Sequence, residues 1–375
     1  MYKWITTVFC CTLLLSANVC ATAAEVETSA ASAVLVDAAS GRVLYEKNAN
    51  EPRLIASITK LMTALVAVES SPDLSVMVTV QAEWLKGAEG SSIYLLPGDK
   101  LTLETLLYGM LLESGNDAAQ VVAGYCGGDI ETFVTWMNDW AEQLGMTNSH
   151  FANPSGLNDD LHYSSAFDMA LCAMACMENE TIAKIVSTKS ITLENRTFTN
   201  HNKLLSLYEG CIGMKTGYTE LAGRTLVSCA EQNGQRLIAV TLSDPNDWED
   251  HKRLYEYGFK TYPHRTLCEE GEVIRTLPVT GSLVRFVGVT PITTMSYPLR
   301  EEEEITTKIE LSDTVAAPLE MGGIAGELAF YFNDRKLGTV YLVYAQSVAH
   351  DLFAERPLLE RLLGLLGQTS MGYLA

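Results

Sequence analysis

Up to about residue 265 the apolar positions alternate between a period near two and a period near 3.6, whereas beyond residue 268 only short strand-like stretches recur. Val34-Leu35-Val36 and Val43-Leu44-Tyr45 flank a polar six-residue segment and predict a hairpin. Residues 61–68 (LMTALVAV) form an apolar run free of Gly and Pro, a helix opened by Ser57-Ile58-Thr59-Lys60. A strand over 76–80 and a Gly- and Ser-rich loop over 87–98 follow, and Thr102 caps a helix that ends at a turn around Ser114. Further helices are expected over 117–125 and 131–144, the second closed by Gly145. Residues 150–157 contain both Pro154 and Gly156 and cannot be regular structure. A helix over about 166–177 comes next. Stretches 224–230 and 236–242 flank Asn233-Gly234, a pair that tolerates positive φ and signals a hairpin. A helix over 247–257 closes this part.

From Cys268 onward, residues 273–277, 283–287, 305–309, 328–332 and 339–344 predict the short strands of a small β-sandwich. The expected fold is therefore an α/β layered catalytic domain followed by a β-rich one. Residues 357–366 carry a leucine stripe with Arg361 and Glu360, read either as a membrane-surface anchor or as a helix packed on the sandwich. At the other end, Lys3 is the only charge before Glu25, residues 4–15 are apolar apart from three threonines, and Ala21-Thr22-Ala23 offers a cleavage site. These features predict a secretory signal peptide and export. The expected divisions are 1–23 signal, 24–265 catalytic domain, 268–346 β-rich domain and 347–375 amphipathic tail.

At 375 residues the chain has room for two domains, and a formal net charge of −20 makes nucleic acid or an anionic lipid surface a poor partner. Six of the nine cysteines remain after residue 23: Cys126, Cys172, Cys176, Cys211, Cys229 and Cys268. Their spacing defines no framework, so buried thiols and one or two bridges both stay open. Cys172 and Cys176 stand at i and i+4, but no nearby Cys or His pair completes a metal site.

The chemistry concentrates in three short motifs. In a helix, Ser57 and Lys60 share one face with Cβ atoms roughly 5–6 Å apart. A serine hydroxyl needs a base close by, and lysine can be that base when desolvation or a second cation lowers its pKa. Ser114-Gly115-Asn116 lies between two helical stretches, and Lys215-Thr216-Gly217 opens a strand followed by Tyr218. Ser-x-x-Lys, Ser-x-Asn and Lys-Thr-Gly in this order mark serine acyl transfer.

With these residues and the stretches 32–47, 153–168, 200–205 and 213–234 in view, the chain resembles a D-alanyl-D-alanine carboxypeptidase, a low-molecular-mass penicillin-binding protein. The resemblance spans nearly the whole chain after residue 23. It implies a penicillin-binding/β-lactamase-like α/β (α+β) catalytic domain. Its substrate would be the peptidoglycan stem peptide, its acylating inhibitors β-lactams, and it would need no metal or organic cofactor. It also implies Ser57 as nucleophile, Lys60 as general base, Ser114 as proton relay and Asn116 as holder of the substrate amide and Lys60. Lys215 would keep the pocket positive and Thr216 would bind the terminal carboxylate. Gly217 would let substrate backbone approach, and the N–H groups of Ser57 and Tyr218 would bind the oxyanion. His201 stands where some relatives have arginine, which leaves its part in carboxylate binding open. His162 and residues 153–157 read as structural. The rival readings are a transpeptidase or endopeptidase on the same scaffold and a non-catalytic peptidoglycan binder. A class A β-lactamase would need a deacylating glutamate, for which Glu194 is the only remotely placed residue.

Overall fold

The computed structural model describes residues 26–351, so the predicted signal peptide and residues 352–375 lie outside the described residues. A five-stranded antiparallel sheet runs in the order Val43–Lys47, Ser32–Asp37, Gln235–Leu242, Gly223–Gln232, Cys211–Thr219. The alternation of side chains across a strand explains why its central strands are apolar throughout. Val34 and Val36 point into the main core while Leu35 faces a second one, and Ile238 and Val240 are likewise opposed to Leu237 and Ala239. Both faces are thus covered by helices.

The main-core face carries α1 (Lys60–Ser70), α2 (Leu103–Leu112), α3 (Asn116–Gly127), α4 (Ile130–Gln143), α5 (Ala166–Glu178) and α6 (Glu180–Ser187). A one-turn α7 (Leu204–Leu207) leads into the Cys211–Thr219 strand, and α8 (Asp247–Thr261) covers the opposite face with Leu254 and Tyr255. Thr102 caps α2 by accepting the Thr105 N–H, and Gly145 ends α4 at φ +75°. Asn233 and Gly234 both adopt positive φ in the hairpin turn. Segment 179–199 was not foreseen: α6 and a hairpin of Ser190–Leu193 with Arg196–Thr199 fill it. These elements are short, though patterned: α6 buries Ile182, Ile185 and Val186 on one face, and Phe198 is the buried position of its strand.

The second domain starts a few residues earlier than the sequence reading placed it. His264–Cys268 pairs with Met295–Pro298, and the chain stays paired as far as the Leu319–Val348 bridge. Its main sheet has six strands, in the order Thr306–Leu311, Ile324–Phe332, Arg335–Tyr344, Phe286–Pro291, Arg275–Thr280, Val315–Ala316. Leu277, Val287, Val289, Phe330 and Leu342 form its core.

Arg42, in the turn of the first hairpin, joins the two domains. Its guanidinium pairs with Glu303 at 2.6 Å, donates to the Pro298 carbonyl at 2.6 Å, and packs over the rings of Tyr262, Tyr297 and Phe332. His264 Nε2 meets Asp37 Oδ2 at 2.7 Å beside it. The six cysteines after residue 23 are all free thiols. Among the described residues no helix is long and apolar enough to cross a membrane.

Candidate active site

Ser57 does not stand in an α-helix as the sequence suggested; it lies in the 3-10 turn Ala56–Thr59, and α1 begins at Lys60. The tighter turn still presents the two side chains together, with Lys60 Nζ 2.8 Å from Ser57 Oγ. Ala56, just before the nucleophile candidate, has φ +50°, a strained value for a residue with a Cβ. Its strain is held by neighbours: Thr59 Oγ1 donates to the Ala56 carbonyl at 2.8 Å and Thr225 Oγ1 to the Ile55 carbonyl at 2.9 Å.

Lys60 is fully buried. Its pKa is pushed well below the ordinary lysine range, by desolvation first and by the charge of Lys215 second, against the opposing pull of Asp117. Its Nζ also lies 2.6 Å from Asn116 Oδ1 and 2.5 Å from the Ser155 carbonyl oxygen. Both of these atoms can only accept. As an ammonium Lys60 donates to all three oxygens, Ser57 Oγ included; the neutral amine keeps two N–H donors, enough for Asn116 and Ser155, and its lone pair is then free for the Ser57 hydroxyl. The Asn116 amide cannot turn over, because its Nδ2 donates to the Glu89 carbonyl.

Ser155 is held in place by Asn153, whose Oδ1 accepts N–H groups from Ser155, Gly156 and Leu157. Thr63 Oγ1 fixes the Pro154 carbonyl at 2.6 Å. Gly156 has φ +88°, and a Cβ there would collide with the Ala56 carbonyl oxygen. His162 supports the same corner. The Ala152 N–H donates to its Nδ1, so Nε2 carries the proton and donates to Thr59 Oγ1 at 2.7 Å; burial lowers its pKa to about 4. The 153–157 loop is therefore structural in composition, yet it delivers a backbone acceptor directly to Lys60.

Ser114 sits between α2 and α3 with φ +63° and is buried. Lys215 is buried on the edge strand; its Nζ donates to the Thr216 carbonyl at 2.9 Å, and burial brings its pKa down to about 7. Gly217 is also required by packing: a Cβ there would lie 2.9 Å from the Ser57 backbone nitrogen and strike Thr225 Oγ1. The glycine lets the strand touch the Ser57 turn.

Ser57, Ser114, His201, Thr216, Gly217 and Tyr218 line one cleft of about 320 Å³, with Lys60, Asn116 and Lys215 buried behind it. All nine sequence-selected residues are thus brought together. His201 is half-exposed and its Nε2 faces Glu113 at 3.3 Å, so an acidic neighbour shares it.

The cleft unites a Ser-Lys pair, a Ser-x-Asn turn and a Lys-Thr-Gly edge strand. The D-alanyl-D-alanine carboxypeptidase profile matches residues 18–246. The chain belongs to the D-alanyl-D-alanine carboxypeptidase family. The second domain matches the penicillin-binding protein 5 C-terminal domain over residues 262–350. The D-alanyl-D-alanine carboxypeptidase DacF of Bacillus subtilis (strain 168) is 32% identical over 318 residues, covering 81% of this chain and 82% of the relative. Penicillin binding protein 5 of Haemophilus influenzae superposes with a TM-score of 0.68 at 27% identity, over 86% of this chain and 98% of that one. A peptidoglycan synthesis regulatory factor (PBP3) of Streptococcus pneumoniae gives 0.75 at 25% identity, over 86% and 100%.

Several residues of this carboxypeptidase-family cleft were not selected from sequence. Ser91, Lys203, Arg224, Asp247 and Trp248 also line it. Arg224 is gripped by both oxygens of Asp247 at 2.8 Å and lies over Trp248. Asp117 anchors the 91–95 loop by accepting from Ser92 Oγ and the N–H groups of Ile93 and Leu95. Only Asp117 carried a local signal, its place beside Asn116. Glu194 does not reach the cleft; it occupies a hairpin turn and accepts the Thr102 N–H at 3.2 Å.

Proposed function

We infer that this chain is a serine-type D-Ala-D-Ala carboxypeptidase that removes the terminal D-alanine of peptidoglycan stem peptides and is acylated by β-lactams. The observation that carries the mechanism is the three-way contact of Lys60 Nζ with Asn116 Oδ1, the Ser155 carbonyl and Ser57 Oγ. It supports Lys60 as a neutral base whose lone pair takes the Ser57 proton.

Ser57 Oγ then adds to the carbonyl of the penultimate D-alanine. The N–H groups of Ser57 and Tyr218 receive the oxyanion, which in related chemistry is worth about 3–4 kcal/mol per donor. The proton held by Lys60 passes through Ser114 to the departing amine, so D-alanine leaves neutral at nitrogen and the acyl group stays on Ser57. Water reverses these steps and frees the shortened peptide. The Lys215 strand is the last of its sheet, so its outer edge can take an extended peptide as an added strand. Lys215, Thr216 and His201 are suited to bind the terminal carboxylate there, and Asn116 to bind the peptide amide.

Export follows from the predicted signal peptide over residues 1–23. The enzyme would act outside the cytoplasm on the cell wall and so contribute to cell shape. The second domain would be a spacer or partner-binding module, and residues 347–375 a peripheral membrane contact.

The test is D-alanine release from a peptide ending in D-Ala-D-Ala, by the chain from residue 24 and its Ser57→Ala variant. Release that disappears in the variant, together with loss of penicillin labelling, is the expected result. A folded wild-type protein that is labelled by penicillin but releases no D-alanine would overturn the carboxypeptidase reading in favour of a transpeptidase.

A further inference from the structure

The second domain has a near end and a far end. The Ile324–Phe332 and Arg335–Tyr344 strands form a hairpin whose turn, with Phe332 under Arg42, abuts the catalytic domain. Ten residues at roughly 3.3 Å each put the other end about 30 Å away. That far end is apolar and exposed: Leu283 is 65% exposed, Phe286 59%, Met321 71% and Ile324 67%, with Val284 between the first two.

These side chains belong to one surface. Residues 281–285 connect the strands in which Phe286 stands opposite Pro278. Met321 donates its N–H to Ser347 Oγ at 2.9 Å, and Ile324 stands opposite Val343. Val348 bridges to Leu319, and the Asp351 N–H donates to the Gly281 carbonyl at 2.8 Å. The chain therefore passes between the 281–286 and 321–324 segments just before residues 352–375 begin.

We propose that this far end is itself a lipid-contact surface, in which Leu283, Val284, Phe286, Met321 and Ile324 enter the interface of a bilayer. The proposal rests on the extracytoplasmic, membrane-peripheral reading above. Its apolar groups sit on projecting turns and a strand end, a shape that inserts between headgroups. The adjoining segment has Leu358, Leu359, Leu362, Leu363, Leu365 and Leu366, so the two apolar stretches start from the same place. With a net charge of −20, attraction has to come from apolar burial, and zwitterionic lipid is the fitting partner.

Phosphatidylcholine vesicles are the probe, in co-sedimentation of four chains: residues 24–375, the same with Leu283→Asp and Phe286→Asp, a chain ending at Asp351, and that shorter chain with both substitutions. Penicillin labelling checks the catalytic domain; because both substitutions lie in the second domain, near-UV circular dichroism and a thermal melt check the fold of that one. The two substitutions are expected to lower partitioning of each background by at least about tenfold, from two apolar side chains that no longer enter the interface. Equal binding of the full and shortened chains would remove the tail from the reading and leave the surface standing. Unchanged partitioning on Leu283→Asp/Phe286→Asp in both backgrounds overturns the surface. So does a chain that self-associates through this face, by light scattering, without binding vesicles.

Discussion

Replacing Lys215 by Met should make the protein more stable and less active at once. Lys215 is buried, and burial brings its pKa from 10.5 to about 7. Because the folded-state value is lowered, the folded protein binds fewer protons than the unfolded chain between about pH 7 and 10.5. Stability then rises with pH across that window, by about 1.4 kcal/mol per unit. Between pH 7 and 9 the wild type should gain about 3 kcal/mol from this group, and the Met chain should gain none of it. Below pH 7 the wild type carries the whole deficit, roughly 5 kcal/mol, of desolvating a charged amine. The aliphatic stems of Lys and Met fill similar space, so packing changes little. Urea midpoints of both chains at pH 6, 7 and 9 measure the difference, with penicillin labelling and D-alanine release followed in parallel. Acylation should fall by at least about 100-fold if, as proposed, Lys215 supplies the charge for the terminal carboxylate. A stability difference that does not change between pH 6 and 9, or a Met chain less stable at pH 6, would refute the reasoning.

His162 and His251 are buried neutral, with pKa values lowered by desolvation to about 4 and about 3. Their stabilising contribution is therefore complete above about pH 6.5 and is lost as pH falls through these values. Urea midpoints between pH 3 and 7 should show the acid-side loss, and His162→Gln should reduce it by about 3 kcal/mol. Gly156→Ala places a methyl against the Ala56 carbonyl at φ +88°; it should cost about 1–3 kcal/mol and withdraw the Ser155 carbonyl from Lys60. Stopped-flow acylation should then slow at least about tenfold with little change in KM, and an unaltered rate would argue against that carbonyl as a positioning group. Arg42→Ala removes the Glu303 pair and three ring contacts at the domain junction. Calorimetry should resolve two unfolding transitions in place of one, with about 2–3 kcal/mol of coupling lost.

What was legible in the sequence was local. Thr102, Gly145 and Asn233-Gly234 announce a cap, a stop and a turn because each satisfies a requirement of the backbone around it. The three motifs were legible for the same reason, since every one places its polar groups on a single turn or strand. Segment 179–199 was not read, because its elements span only eight, four and four residues and acquire their stability from packing on α2 and the Lys215 strand, although Ile182, Ile185 and Val186 do mark one helix face.

The sequence alone thus determined that a serine and a lysine share one turn, that two further motifs accompany them, and that a β-rich domain follows. Tertiary structure decided what those residues can do. The lysine is suited to the proposed role of base because burial, and after it the charge of Lys215, lowers its pKa, while Asn116, fifty-six positions away, and the Ser155 carbonyl, ninety-five positions away, hold its Nζ. It also added a packing reason for Gly217, whose strand lies against the Ser57 turn where a Cβ would clash. Arg224, Asp247 and Trp248 entered the cleft only through the fold. Desolvation and donor counting are properties of a surrounding shell, and no spacing along the chain encodes which distant atoms will form it.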